Sequence, residues 1–241
     1  MPDAMIAYCG PAAFPDELWT RWNVDPLLIA IFAALAIAVG RSRSSDSRAG
    51  WGAIVLMLVI FVSPLCALSS ALFSVRALHH VLLIAAVAPL LALAFPQRRA
   101  GAPSFVVLVV AHAVILWLWH TPGPYAWGLA SVPAYWLMQI SLLGSAWLLW
   151  RGILAPAAQS GLALVALVAT IGQMGLLGAL IVFAPRPLYT LHVASTAAWG
   201  LTPLADQQLA GLLMWVPAIL PYLGVGLWIA WSSLRPAEPA L

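Results

Sequence analysis

Long apolar runs separated by short polar punctuation dominate the chain. Runs of roughly 17–25 apolar residues are long enough to cross a bilayer as helices. Seven such runs predict seven helices, at 22–40, 51–72, 77–95, 104–120, 133–150, 162–183 and 209–231. Pro64, Pro89, Pro217 and Pro221 fall inside them and mark expected bends. Membrane helices tolerate proline because neighbours or waters satisfy the freed backbone groups. The runs are continuous, whereas a transmembrane barrel needs short alternating segments, so helices are the expected element. Trp22, Trp51, Trp119, Trp150 and Trp231 sit near helix ends, where aromatic belts form. The expected fold is an all-α integral membrane protein, a seven-transmembrane-helix bundle forming one polytopic domain over 1–241.

Composition agrees with the pattern. Hydrophobic residues make up 64% of the chain and charged residues 7%, with a mean hydropathy of +1.01. Soluble domains carry about 25% charged residues. All ten positive side chains are arginine, and they form no basic stripe, which argues against nucleic acid as a partner. Their distribution sets orientation instead. With the N-terminus outside, Arg41, Arg43, Arg48, Arg98, Arg99, Arg151 and Arg235 fall inside, and Arg21, Arg76 and Arg186 fall outside. The positive-inside rule then favours N-out and C-in, with 1–21 periplasmic and 232–241 a cytoplasmic tail. The N-terminus has no basic region ahead of an apolar core, so no cleavable signal peptide is expected. Cys9 and Cys66 lie far apart with no C-x-x-C, and indicate neither a zinc knuckle nor a redox pair. Gly172, Gly175 and Gly178 recur every third residue in the sixth helix, which points to close helix packing.

Ionisable side chains within membrane helices are costly, so their positions are informative. Arg76, His79 and His80 open the third helix at the outer face. His120 closes the fourth at that face, and His192 and Asp206 lie in the outer loop before the seventh. His112 sits about 12 Å deeper on its helix, and is read first as an interhelical hydrogen bonder. Imidazoles from different helices at one level are metal-ligand candidates, and Met174 and Met214 are further soft donors that more often serve packing. Asp206 reads as the N-cap of the seventh helix. There is no H-E-x-x-H, nucleophile elbow or phosphate loop. None of the seven acids is mid-helix, which argues against ion-coupled transport.

Three blocks carry a family resemblance. The first is Phe73-Ser-Val-Arg-Ala-Leu-His-His-Val-Leu-Leu83, continued by Ala88-Pro-Leu-Leu91. The second is Leu116-Trp-Leu-Trp-His-Thr-Pro122 followed by Tyr125. The third joins Leu177-Gly-Ala-Leu180, Pro187-Leu-Tyr189 and the run from Leu201 to Pro217 with its Pro-Leu-Ala-Asp-Gln-Gln core. Together they resemble the CtaG family of multi-pass cytochrome c oxidase assembly proteins, named for the caa3-type oxidase and distinct from the single-pass copper chaperone of that name. The chain departs from the family pattern at several positions. Where the family often reads His-Met-x-Gln-His, Arg76 replaces the first histidine and His80 matches the second. Where it often carries His-x-x-Glu-His, Tyr135, Met138 and Gln139 stand instead.

The resemblance implies a non-catalytic role in maturing a haem–copper oxidase in the bacterial inner membrane, with copper handled at the periplasmic face and oxidase subunits as partners. It implies His80 and His120 as ligands and Asp206 orienting one of them or pairing with Arg76, with His79 and His192 as further candidates. The alternatives are a metal-free scaffold for oxidase subunits, a bis-histidine haem protein, and, least favoured, a permease.

Overall fold

The structure is a computed structural model that describes residues 8–41, 46–96, 104–155 and 158–234. Arg43, Arg98, Arg99 and Arg235, used above for orientation, lie outside the described residues. Among the described residues the regular structure is all helical: α1 (Pro26–Arg41), α2 (Ser47–Phe61), α3 (Leu65–Ala71), α4 (Phe73–Leu82), a π-helical turn (Leu83–Val87), α5 (Ala88–Ala94), α6 (Phe105–His120), α7 (Pro122–Ala130), α8 (Val132–Ile153), α9 (Ser160–Phe183), α10 (Pro203–Trp215) and α11 (Ile219–Leu234), with short 3-10 turns between some of them.

Four of these segments are long and apolar enough to cross a membrane: Phe73–Ala94, Val132–Ile153, Ser160–Phe183 and Pro203–Leu234. Two bent pairs raise the number to six, α2 with α3 at 46° and α6 with α7 at 77°, and α1 is a shorter apolar helix. The apolar windows differ in burial. That of Phe73–Ala94 is 67% buried inside the protein, against 39%, 39% and 22% for the other three. The α4–α5 span is therefore the central helix, and the others present apolar faces outward. Leu137, Val165, Val168, Leu176 and Leu227 are among the exposed side chains, as lipid contact demands.

Several sequence expectations change. Residues 121–132, which fall between the helices expected at 104–120 and 133–150, contain α7, folded back against α8. The helix expected at 209–231 begins at Pro203 as α10, six residues early, because Thr202 caps it by accepting from Ala205 N at 3.1 Å, and it continues after a break as α11. Asp206 is thus inside the first turn and is not the cap.

Pro89 shapes the central span through hydrogen-bond register. Lacking an N–H, it cannot continue the helical ladder. The chain widens to a π turn just before it, where Ala88 N donates to Leu83 O five residues back. In that register Ile84 O would need Pro89 as its donor. Trp150 Nε1 fills the gap from α8 at 3.0 Å. The α9–α10 contact is the tightest helix crossing. A Cβ on Gly178 would lie 2.9 Å from Gly211 O, and one on Gly211 2.6 Å from Gly178 O. Gly178 thus acts as the glycine spacing predicted, whereas a Cβ on Gly172 would meet nothing.

Cys9 and Cys66 form a disulfide. The sequence spacing gave no indication of this pairing. It fastens the N-terminal segment over the end of the bundle where α2 breaks into α3. Further ties hold the strap. Tyr8 donates to Asp25 and stacks on Tyr135 with ring centroids 5.0 Å apart. Trp199 Nε1 donates to Ala13 O at 3.2 Å. Arg21 pairs with Glu17 at 3.0 Å.

Candidate functional site

The buried polar residues gather beneath this strap. Asp206, 1% exposed, projects from α10 to the start of α4. Its carboxylate accepts from Phe73 N at 2.7 Å, Ser74 N at 3.1 Å and the Ser74 hydroxyl. Asp206 therefore caps α4, an element distant in sequence. This satisfies otherwise orphaned N–H groups and places negative charge at the positive end of the helix dipole. The expectation that Asp206 caps its own helix is corrected.

One turn along α4, Arg76 is fully buried. Its Nη1 lies 3.5 Å from Tyr135 Oη, and its guanidinium carbon lies 5.4 Å from that ring's centroid. Arg76 Nε and Nη2 make no hydrogen bond of ordinary geometry. Among the described residues, the ion pair formed is Arg21–Glu17, so Arg76 is held by aromatic faces and not by Asp206.

His79 and His80 follow on the same helix, and α6 brings His120 to them. The His79 and His80 ring centroids are 5.8 Å apart, and those of His80 and His120 are 5.4 Å apart, both edge to face. The rings are all but inaccessible to solvent. His120 Nδ1 lies 2.7 Å from Leu116 O. A carbonyl only accepts, so Nδ1 carries the proton and Nε2 keeps its lone pair. Tyr189 donates to the His120 carbonyl at 2.6 Å and fixes the end of α6. Gln139 on α8 faces the pair from the other side, with its Nε2 3.4 Å from His80 Nε2. Phe61 packs edge-on against His79 at 4.9 Å. Among the described residues, both nitrogens of His79, His80 Nδ1 and His120 Nε2 make no hydrogen bond of ordinary geometry. Buried polar atoms are nearly always satisfied, so this many unsatisfied nitrogens in one place is unusual.

The other sequence candidates lie apart. His192 shares a 2.6 Å hydrogen bond with Tyr125 and sits in an aromatic nest with Phe73 and Tyr189. Burial, with the Arg76 charge adding to it, pushes the His192 imidazole down to about 4. His112 Nδ1 is 3.0 Å from Ser145 Oγ, a polar link between α6 and α8. Met174 and Met214 are buried in the core. Among the described residues, no group of three or more His, Cys, Asp or Glu side chains is placed to hold a metal ion.

Sequence reading missed the roles of Tyr125, Tyr189 and Gln207. Gln207 accepts from Leu188 N at 2.6 Å and donates to Ile181 O and Arg186 O, tying the 184–202 loop to α10. The signal was present in the Pro-Leu-Tyr and Asp-Gln-Gln runs, but their partners are distant in sequence.

A family model described as cytochrome c oxidase caa3 assembly factor matches residues 30–236. Comparison with curated proteins and with solved structures gives no match.

Proposed function

We propose a copper-handling role for this chain, which belongs to the cytochrome c oxidase caa3 assembly factor family: it holds a copper ion transiently between His80 and His120 on the way to the copper centre of a haem–copper oxidase. Copper is cargo here, and no bond of a substrate is made or broken. The observation that carries the reading is the His80–His120 edge contact at 5.4 Å, with an unshared lone pair on His120 Nε2 whose tautomer Leu116 fixes. A hydrogen bond to the far ring nitrogen is how proteins orient imidazole ligands. Neutral imidazole suits Cu(I) and Cu(II). With two such donors, the set fits the low coordination number of Cu(I) and falls short of the four ligands that structural zinc takes.

The membrane arrangement in this reading is seven spans, N-out and C-in, in a bacterial inner membrane. That count takes α1 and each bent pair as one span. The arginine distribution supports this orientation. The Cys9–Cys66 disulfide supports it independently, because disulfides persist in oxidising compartments such as the periplasm. The histidines lie at that same end, which makes it the face for copper exchange.

Arg76 favours a second reading, a metal-free scaffold for oxidase subunits. A buried guanidinium beside the imidazoles repels an incoming cation. A haem bridging His80 and His120 is disfavoured, because rings in direct edge contact leave no slot for a flat macrocycle. Copper analysis of the purified protein with His80→Ala and His120→Ala separates the first two readings. Copper retained by the parent and lost from both variants is expected. Negligible copper in all three, with oxidase subunits still co-purifying, leaves the scaffold.

A further inference from the structure

An apolar groove runs along the lipid-facing side of the bundle between α1 and α8. Among the described residues, α1 packs mainly against α2 and leaves a cleft between itself and α8. Toward the disulfide end is a cavity of about 390 Å³ whose lining includes Ile31, Phe32, Trp136 and Leu143. Toward the other end is one of about 620 Å³ whose lining includes Leu35, Leu143, Gly144, Trp147 and Arg151. Ile140 and Leu143 line both. From Trp136 to Arg151 the groove follows α8 for about 22 Å at the helical rise, which is more than one leaflet of a hydrocarbon core of about 30 Å.

The two ends differ in charge. Asp25 lines the end near the strap and Arg151 the opposite end. The Arg151 guanidinium is fixed by the Trp147 ring at 4.7 Å and by Pro96 O, to which Nη2 donates at 3.5 Å. Among the described residues, Arg151 Nε and Trp147 Nε1 make no hydrogen bond of ordinary geometry. Arg41 and Arg48 lie at the same end. The acid there, Asp46, is committed to capping α2 through Arg48 N and Ala49 N. At the position of Gly144 the groove is empty, since a Cβ there would meet nothing within 4 Å.

We propose that this groove is a specific site for an anionic phospholipid, its phosphate at Arg151 and its acyl chain lying along Leu143, Ile140 and Leu35 toward the membrane centre. A fixed cation beside an aromatic donor selects a phosphate over a neutral surface, and basic pockets between helices are known seats for acidic head groups. The acidic far end of the groove sets the orientation of the lipid. The phosphate end of the site, at Arg151, is lined by none of the histidines; the strap-end cavity shares Phe61 and Gln139 with their surroundings, and the lipid proposal does not depend on the copper reading.

The test uses the full-length protein in detergent, titrated with phosphatidylglycerol or phosphatidylcholine of identical chains, with bound lipid counted by native mass spectrometry. One interfacial arginine should favour the anionic lipid about fivefold. Arg151→Gln should abolish the preference and leave residual binding of both lipids. Gly144→Phe should block both lipids, and it enters open space, so folding is preserved. Arg48→Gln, outside the groove, should keep the preference. Equal binding of the two lipids by the parent protein, or a preference unchanged in both groove variants, overturns the proposal. So does loss of oxidase-subunit co-purification in Gly144→Phe without any lipid selectivity in the parent, since the groove would then seat a partner helix.

Discussion

The two ends of the central α4–α5 span differ in how they treat polar groups. At the α4 end, Asp206, Arg76, His79, His80 and His120 are sealed from water beneath a covalently fastened strap. At the α5 end, Arg151 stands at the mouth of an open apolar groove. The first end is buried and aromatic-lined, with Asp206 bonded to α4 and several imidazole nitrogens without a partner among the described residues. The second leaves its cation partly unanswered and open to the bilayer. Scarce charge serves a preformed site at one end and a surface for lipid at the other. Tyr8, Cys9 and Tyr135 lie over Arg76 and cover that end.

The largest expected break in this contrast is removal of the clip. Cys66→Ser opens a loop of 57 residues, and the chain-entropy model puts the loss at about 4 kcal/mol. A thermal unfolding scan should show a lowered midpoint, and reductant should reproduce the loss in the parent but add nothing to the variant. Asp206→Ala comes next. It strands two α4 N–H groups and a hydroxyl, for about 3 kcal/mol, read from the same scan, while selectivity at the Arg151 groove stays unchanged. Trp150→Phe leaves Ile84 O without its donor and should cost about 1–2 kcal/mol.

How much of this was visible in the residues depends on the range of the interaction. The helices at 104–120 and 162–183 come within two residues of α6 and α9, because continuous apolar runs and local caps such as Ser104 specify them. The outer histidines were legible as a group because charge is so scarce. Their partition was not. His80 and His120 meet only because the C-terminal end of α6 reaches α4, and His192 is diverted by Tyr125, a residue 67 positions away. Asp206 was misassigned because a local capping rule was applied to a side chain whose acceptors reach α4 across 132 residues or more. The disulfide was hidden for the same reason. Proline positions signalled bends, yet which carbonyl Pro89 frees, and that Trp150 repairs it, follows from register in three dimensions.

Smaller effects sharpen the comparison. Copper retention should rise in Arg76→His, which exchanges a buried cation for a neutral donor, measured against the parent by elemental analysis. The last effect is graded with pH. His192 is neutral in the fold, with its affinity for protons lowered to about 4 by burial. The unfolded loop, near 6.5, binds the proton more readily. The stability it contributes is complete above about 6.5 and is lost as pH falls toward 4. Hydrogen exchange of residues 184–202 should quicken through that window, and His192→Asn should flatten the dependence.

The most direct test of the central claim is X-ray absorption of the Cu(I)-loaded protein. Nitrogen scatterers at about 2 Å with the multiple-scattering pattern of imidazole are expected, absent from both His80→Ala and His120→Ala. Sulfur-dominated scattering, or imidazole scattering that survives both substitutions, would contradict it.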